Sequence, residues 1–423
     1  MPDHPELLDF LDEVAIESRH SYSLSDDFDS GEVAPAKDLS PRILEKYGVD
    51  LTGEYAGVSL YHPFGKAAGQ LSLNEKQVIS DRDSGLAYTV LKSAVGVTES
   101  GEVGIDDWQK SAPEMMLEPR KARDGRTGWT VTWKGRGWDK GFGAYIEFYR
   151  ESLRQNPGYL VIPSLMVDVT DAARARQQAT HCISELIDIH GRNASVGDFV
   201  IEIDISPTLF LLPDADKDEK VIEMVTTSVD AFRSALESKG RCVIKLPNAS
   251  RGAEFQANLA KAGLEAGGNR VAALIVGNRL FDPDSEFKGQ RGIAYGGYDL
   301  SNANLETLDR FRADSIRVDI AGTGNICSGR MMAEYAIRGC KSGQIHTFFQ
   351  LPPNSYRAPA SSGGRTWRAL RELLYHPDDG LISIILKLER SGKLARSNDI
   401  LRFRDLLSVK VSTTEGIPDE SDR

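Results

Sequence analysis

Two short turns near the C-terminus have the spacing of an anion-binding site. Residues 322–324 (Gly-Thr-Gly) follow one apolar run, residues 346–347 (His-Thr) follow the next, and one helical segment lies between them. Glycine turns leave backbone N–H groups free and a helix N-terminus adds partial positive charge, so together they can hold a phosphate. Ser328 can cap this helix and Gly339 can end it. The alternative is that the glycines only permit tight turns.

Two lysines occupy positions where a positive charge is unfavourable. Lys92 ends the run YTVLK, and Lys245 lies inside the run VIKLP. A lysine in an apolar run is destabilising unless an anion meets it, so each predicts an anionic partner in the folded protein. The alternative is that each side chain extends along the protein surface to solvent.

The elements that must position these groups are short apolar runs that alternate with amphipathic helical segments. Nearly continuous apolar strands separated by helices predict an α/β fold with a parallel sheet, and eight such units predict a (β/α)8 (TIM) barrel. An open doubly wound sheet is the competing architecture. In a barrel the two turns follow strands seven and eight, where phosphate sites are common. The strand candidates are residues 65–70, 86–93, 159–168, 198–206, 241–247, 270–278, 315–322 and 343–349. The main helix candidates are residues 172–189, 219–238, 252–262, 305–312, 328–337 and 367–374.

The remaining segments define the predicted domain organisation. Residues 1–48 are expected to form an N-terminal helix and arm, with Leu7, Leu8, Leu11 and Val14 at helical spacing. Residues 49–395 are the predicted barrel, and its insertion after strand two, residues 96–143, is long enough to form a lid over the active site. Residues 396–423 are expected to hold the end of a helix and a disordered tail.

Composition excludes several function classes. The 423 residues include 62 Asp and Glu against 51 Lys and Arg, so the overall field opposes nucleic acid and anionic lipid as partners. The four cysteines form no Cys-x-x-Cys pair and lack histidines at zinc spacing, so we expect no metal site and a cytoplasmic protein. No secretion signal and no apolar run of 18 residues is present, which predicts a soluble protein.

Six motifs, in order between Tyr61 and Phe349, resemble the dihydroorotate dehydrogenase family. They are HPFGKAAGQ, VLKS, VIKLP, YGGYDLSNANL, the Gly-Thr-Gly turn and the segment Gln-Ile-His-Thr. That family binds FMN on a (β/α)8 barrel, so the resemblance implies the same fold and cofactor. A lysine near flavin N1 would stabilise the negative charge of the reduced ring and raise its potential. The FMN contacts that the resemblance implies are Ala67, Ala68, Gly69, Lys92, Ser93, Lys245, Gly296, Gly297, Gly322, Thr323, Gly324, His346 and Thr347.

The sequence departs from the family at the catalytic base. The family places a Cys or Ser base after strand four, in Asn-x-Ser-Cys/Ser-Pro-Asn, whereas this chain reads EIDISPTLF. Without a gap the base position falls on Pro207, and with a one-residue deletion it falls on Ser206. A serine base needs activation, and Asp204 would project to the same side of the strand. Asp204 could instead pair with Lys245. Ser206, Asp204 and Lys92 are therefore the catalytic candidates.

The substrate-binding positions differ as well. The loop after strand six, LIVGNRLF, lacks the family's Asn-Ser pair, although Asn278 lies close, and the insertion offers Lys134 and Arg136 in place of an asparagine. Loss of amide partners predicts a changed substrate, because unmet polar groups discriminate strongly between ligands. Lys134 and Arg136 are cationic and suit an anionic substrate. Arg126 and Arg279 are further candidates for this role. The alternative is that charged insertion residues form a solvated surface.

Three functions follow from these observations. The first is an FMN-dependent oxidoreductase acting on a C–C bond of a small cyclic, anionic substrate, either dihydroorotate, in pyrimidine metabolism, or a different ring compound. The second is a catalytically inactive flavin-binding or phosphate-binding scaffold, and the third is a flavin-free phosphosugar-type barrel enzyme. Without an iron–sulfur cysteine cluster or an N-terminal membrane helix, we expect a soluble electron acceptor. The resemblance implies a homodimer.

Overall fold

The chain forms a (β/α)8 barrel, as the sequence predicts. The structure, a computed structural model, describes residues 8, 11–32, 34–103, 114–134, 137–138, 140–194, 197–205, 209–210, 212, 214, 216–359 and 364–410, except for the side chains of residues 114, 133, 134 and 290. Every predicted strand has a counterpart among these residues. The insertion after the second strand and the N-terminal arm are also present.

Eight parallel strands close the barrel. The sheet has ten strand segments, because the second and third strands are each interrupted. Pro163 divides the third strand, since proline lacks the N–H that a ladder needs. The ring is closed by pairing of the eighth strand with the first, in the register Gly343 to Phe64. The strands are β1 (Phe64–Lys66), β2 (Tyr88–Val90 and Ala94–Val95), β3 (Leu160–Ile162 and Ser164–Met166), β4 (Val200–Asp204), β5 (Arg241–Lys245), β6 (Val271–Ile275), β7 (Asp319–Thr323) and β8 (Cys340–Ile345).

Helices cover the outside of the barrel. The first two α-helices precede the barrel, each of the next eight follows a strand in chain order, and the last follows directly after another helix. The α-helices are α1 (Ser18–Asp29), α2 (Ala36–Tyr47), α3 (Glu75–Asp83), α4 (Phe142–Gln155), α5 (Ala172–Asn193), α6 (Asp218–Leu236), α7 (Ala253–Gly267), α8 (Tyr298–Ala313), α9 (Gly329–Ile337), α10 (Arg365–Tyr375) and α11 (Leu381–Arg390). Short 3-10 helices are Gly268–Arg270, Thr347–Gln350, Pro353–Ser355 and Phe403–Ser408. Within the described residues, no helix combines the length and apolar character needed to cross a bilayer.

The two ends of the chain flank the barrel. The α-helices of the arm begin at Ser18 and Ala36, and upstream of them Leu8 and Leu11 are fully buried in 3-10 helical conformation. After α11 the chain forms a short strand, Leu401–Arg402, which pairs in parallel with Val49–Asp50, and then the 3-10 helix Phe403–Ser408. Residues 411–423, the predicted tail, lie outside the described residues.

The barrel interior contains apolar and polar layers. On β4 the side chains alternate, so that Ile201 and Ile203 pack toward the helices while Val200 belongs to the inner apolar cluster. Glu202 and Asp204 share the inward face with Val200. The floor hairpin, formed by Gly53–Tyr55 and Val58–Leu60, closes the amino end of the barrel, and its Tyr55 ring stacks on Tyr88 at 4.6 Å between centroids.

The insertion forms an antiparallel hairpin, Glu114–Lys121 with Thr127–Lys134, which we call the insert hairpin. A second hairpin, Leu280–Phe287 with Gln290–Tyr295, follows β6. The two are tied together, since the Gly296 amide donates to Thr130 Oγ1 at 2.9 Å and Arg279 Nη1 donates to the Val131 carbonyl at 2.7 Å. The insert hairpin is thereby fixed at the carboxyl end of the barrel.

Candidate active site

A cavity opens at the carboxyl ends of the barrel strands, beneath the insert hairpin. Its empty volume is about 1060 Å³, including the mouth that is open to solvent. Thr127, Gly128 and Trp129 of the insert hairpin form part of its wall. Residues singled out from the sequence that line it are Ala67, Ala68, Gly69, Lys92, Asp204, Lys245, Asn278, Gly296, Gly297, Thr323, Gly324, His346 and Thr347.

One end of the cavity is built from backbone. The loop after β7 contributes Gly324, Asn325 and Ile326, whose amides donate no hydrogen bond to any other described residue. His346 and Thr347, after β8, line the cavity as well. Unpaired amides beside a cavity are favourable positions for an anion, because a buried N–H without an acceptor is destabilising. We call this end, residues 324–326 with 346–347, the phosphate end.

The helix whose N-terminus faces this end is α8, whereas the sequence predicts α9 for this role. Gly296, Gly297 and Tyr298, at the start of α8, line the cavity. The first turn of α9 is occupied elsewhere, because Ser328 Oγ accepts from the Met331 amide at 3.1 Å and the Arg330 amide donates to the Asp379 carbonyl at 2.9 Å. The partial positive charge at the cavity therefore comes from α8.

Glycine is required at two positions of this region for different reasons. Gly324 has φ of 93°, a conformation that side-chain-bearing residues rarely adopt. Gly322 lies within β7 and outside the cavity wall, and a Cβ there would approach the Tyr335 ring to 2.9 Å. Gly322 thus serves helix–strand packing. At the far end of α9, Gly339 has φ of 102°, as expected for a residue that ends a helix.

The other end of the cavity, which we call the ring end, is built from the side chains of Lys92, Asp204 and Lys245. The interruption of β2 at residues 91–93 places Lys92 in the cavity, 8% exposed, and its ammonium group makes no hydrogen bond or ion pair with another described residue. Burial lowers the pKa of its ammonium group to about 8, although the nearby Asp204 carboxylate acts in the opposite direction.

Lys245 has a carboxylate partner, but this is not Asp204. Its Nζ donates to Glu202 Oε1 at 2.9 Å, and both side chains are almost completely buried. The carboxylate of Asp204 instead accepts from Ser93 Oγ at 2.5 Å. The alternative that Asp204 pairs with Lys245 is therefore wrong. The two residues are neighbours across β4 and β5, but the Lys245 ammonium group points to the layer below, where Glu202 lies. Ser93 reaches the site through Asp204 and is not part of the cavity wall.

Positive charge dominates the ring end. Arg279 lines the cavity, 9% exposed, and burial lowers its pKa to about 9. The His346 ring packs so closely on Gly69 that a Cβ at that position would lie 2.1 Å from Nε2. Burial, reinforced by Arg279 and the nearby lysines, holds the pKa of His346 well below its usual range, so that its imidazole is neutral. Asp204 is the one carboxylate among the described residues of the wall.

Several residues predicted for this site are elsewhere or lie outside the described residues. Ser206, the candidate base, is not among the described residues, nor are Arg136 and the Lys134 side chain. Arg126 binds Asp124 and stacks on the Tyr298 ring at 4.4 Å, so it fixes the insert hairpin to α8.

Sequence reasoning gave little weight to some wall residues and missed others. Arg279 was only a secondary candidate, and Gln70, Trp129 and Asn325 were not considered. Glu202 carried a usable signal, because the alternation in VIEID places it on the same face as Asp204. Gln70, Arg279 and Asn325 lie in loops without periodicity, and Trp129 lies in a strand of the insert hairpin.

The four cysteines are free thiols. Cys182, Cys242 and Cys340 are buried, whereas Cys327 lines the phosphate end. Burial raises the pKa of the Cys327 thiol to about 11, which keeps it protonated at neutral pH. Within the described part of the chain, no group of three or more His, Cys, Asp and Glu side chains has a metal-binding arrangement.

Comparison with known proteins extends the description of the fold. No protein-family model matches the chain. No curated protein matches it by sequence. Among solved structures, the chain is similar to DHODH (dihydroorotate dehydrogenase) from Eimeria tenella in complex with ferulenol, with a TM-score of 0.54 and 14% identity over 88% of this chain and 93% of that chain. The barrel is therefore of the DHODH-like type, and the likeness extends over almost the whole of both chains.

Proposed function

We propose that this protein is an FMN-dependent oxidoreductase, a divergent relative of dihydroorotate dehydrogenase. It would transfer hydride between flavin N5 and a C–C bond of a small cyclic, anionic substrate, which is dihydroorotate or a different ring compound. The soluble electron acceptor, the homodimer and the cytoplasmic location that the sequence favours belong to the same proposal.

One observation carries this proposal: a single cavity combines unpaired loop amides at one end with buried lysines at the other. FMN has a phosphate at one end and a ring that becomes anionic on reduction at the other. Gly324, Asn325 and Ile326 would hold the phosphate, and the N-terminus of α8 would add favourable charge. Lys92 and Lys245 would face the ring. The residues present therefore fit the cofactor.

The chain's own groups can serve the remaining steps. Bound FMN would supply the hydride acceptor or donor at N5. A proton released from the neighbouring substrate carbon would go to Ser206 or to Asp204, whose carboxylate lines the cavity and is oriented by Ser93. The insert hairpin would keep water away from the ring end, since its Trp129 belongs to the wall.

An anionic substrate is supported by the charge of the ring end. Lys92 and Arg279 are buried in the wall, and Asn278 adds an amide there. A carboxylate is favourable beside buried cations because the interaction is strong where water is excluded. The same reasoning disfavours a neutral ring compound.

The experiment is anaerobic flavin kinetics on the purified full chain. We expect a yellow protein that releases FMN on denaturation. After photoreduction, the protein is mixed with cyclic enones, orotate and fumarate in turn. At least one of these compounds should reoxidise the bound flavin much faster than buffer alone does. A colourless protein that does not take up FMN would favour the phosphosugar-type enzyme. Bound FMN that no compound reoxidises would favour the inactive scaffold.

A further inference from the structure

Glu202 lies inside the barrel, one layer below the cavity, and all of its carboxylate contacts are buried. Oε1 accepts from Lys245 Nζ at 2.9 Å and from Ser164 Oγ at 3.4 Å. Oε2 accepts from Gln344 Nε2 at 2.7 Å and from Tyr55 OH at 3.3 Å. The carboxylate is thus held from β3, β5, β8 and the floor hairpin at once, and it has little freedom to move.

Glu202 is not part of the cavity wall, whereas Lys245 is. Two residues hydrogen-bonded to Glu202, Lys245 and Gln344, line the cavity, and of these only Lys245 carries a charge that Glu202 can offset. We propose that Glu202 is a positioning residue that holds the Lys245 ammonium group at the cavity floor and sets how strongly its charge acts on an anionic ligand. This inference rests on the proposed function.

The physical basis is competition for one ammonium group. A carboxylate 2.9 Å from Nζ occupies one of its donors and offsets most of its charge. An anion in the cavity must then share Lys245 with Glu202, while Lys92 has no such partner among the described residues. Removal of the Glu202 charge should expose the ligand to the full charge of Lys245.

Other charged groups around Lys245 set the background. Asp204 lies beside it on β4, Lys92 on β2, Arg279 after β6, and His346 after β8. Lys92 and His346 are each influenced by the charge of Lys245. All four side chains are retained in a Glu202 variant, so a difference from the wild-type protein arises from loss of the Glu202 charge, including its effect on these neighbours.

A matched pair elsewhere in the barrel provides the control. Lys66 and Asp81 also form a buried ion pair, and neither side chain lines the cavity. Glu202→Gln and Asp81→Asn each replace a buried carboxylate by its amide beside a lysine. If Glu202 only packs and cross-links the barrel interior, the two variants should have the same effect on ligand binding.

The test is the ratio of the dissociation constants of oxidised and reduced FMN, measured anaerobically at pH 6. We expect Glu202→Gln to raise this ratio about tenfold, because a lysine without its counter-charge favours the anionic ring. Asp81→Asn should leave the ratio unchanged.

A ratio unchanged in Glu202→Gln, or an equal change in Asp81→Asn, would overturn the inference while leaving the proposed function intact. Failure of the wild-type protein to bind FMN would overturn the proposed function. A readout without flavin tests the ion pair itself. The melting temperature of Glu202→Gln should fall below that of the wild-type protein, because Lys245 is then buried without its counter-charge. An unchanged melting temperature would contradict the assigned pairing.

Discussion

The phosphate end and the ring end of the cavity are built from different parts of the chain. At the phosphate end the groups that can meet a ligand are backbone amides of residues 324–326. At the ring end they are the side chains of Lys92, Lys245 and Asp204. Backbone amides do not titrate and are fixed by φ and ψ, whereas lysines and carboxylates depend on pH and on one another.

This difference predicts which kinds of change should impair ligand binding at each end. The phosphate end should be sensitive to backbone conformation and insensitive to pH. The ring end should depend less directly on backbone conformation. It should respond to the gain or loss of a single charge, because the Lys92 ammonium group is buried without a partner among the described residues. Variants at the two ends should therefore separate binding from chemistry.

The largest effect is expected at the ring end, from Asp204→Asn. Asparagine keeps the shape and can still accept the Ser93 hydrogen bond, but it is not a base. Substrate-driven reduction of the flavin should fall by about 10²-fold to 10⁴-fold, with the affinity for FMN little changed. Stopped-flow absorbance would measure both quantities. An unchanged rate would assign the proton transfer to another group, with Ser206 the first candidate.

A smaller but still large effect is expected at the phosphate end, from Gly324→Val. Its φ of 93° is strained for valine, and a Cβ would approach the Leu300 side chain to 2.8 Å. The affinity for FMN should fall by about tenfold to a hundredfold. Gly101→Val is the matched control, because Gly101 has φ of 89° and nothing within 4 Å of its Cβ position. If both variants lose the same affinity, the effect is not local to the phosphate end.

The pH dependence of binding should distinguish the two ends. Burial lowers the pKa of Lys92 to about 8, so this lysine is charged below that pH and neutral above it. Affinity for reduced FMN, whose ring is anionic, should therefore fall by several-fold as the pH rises through about 8, and Lys92→Met should remove this dependence. Fluorescence titration between pH 6.5 and 9.5 would measure it. A dependence that persists in Lys92→Met would point to another titrating group.

The smallest effect concerns α9. Ser328→Ala should lower the free energy of unfolding by about 1 kcal/mol, because the cap to the Met331 amide is lost. FMN affinity should not change, since the first turn of α9 contacts Asp379 and not the cavity. Urea unfolding and FMN titration test both parts. Asn74→Ala, which removes the corresponding cap of α3, is the control for stability. A loss of FMN affinity in Ser328→Ala but not in Asn74→Ala would indicate that α9 contributes to the phosphate end after all.

Sequence patterns predicted the barrel well because apolar runs report burial directly. The eight strands and the helices that cover them follow from periodicity, which is a local property. The glycine turn after β7 was also predictable, because the φ of 93° at Gly324 restricts the residue type. In the arm the periodic leucines Leu8 and Leu11 are buried, but the apolar spacing did not distinguish their 3-10 conformation from an α-helix.

The ring end was less predictable because it depends on which distant strands meet. The sequence indicated that Lys245 needs an anion, but Glu202 and Asp204 were equally available on β4. Only the three-dimensional arrangement selects Glu202, through Gln344 and Tyr55 from other parts of the chain. The choice of α8 over α9 at the phosphate end has the same origin, since Asp379 occupies the first turn of α9.

The most direct test of the central claim is calorimetric titration of the flavin-free full chain with FMN and with riboflavin, which lacks the phosphate. Our account predicts one FMN bound per chain and at least about tenfold weaker binding of riboflavin, because the amides of the phosphate end would have no anion to meet. Equal affinity for the two compounds, or no saturable binding of FMN, would contradict it.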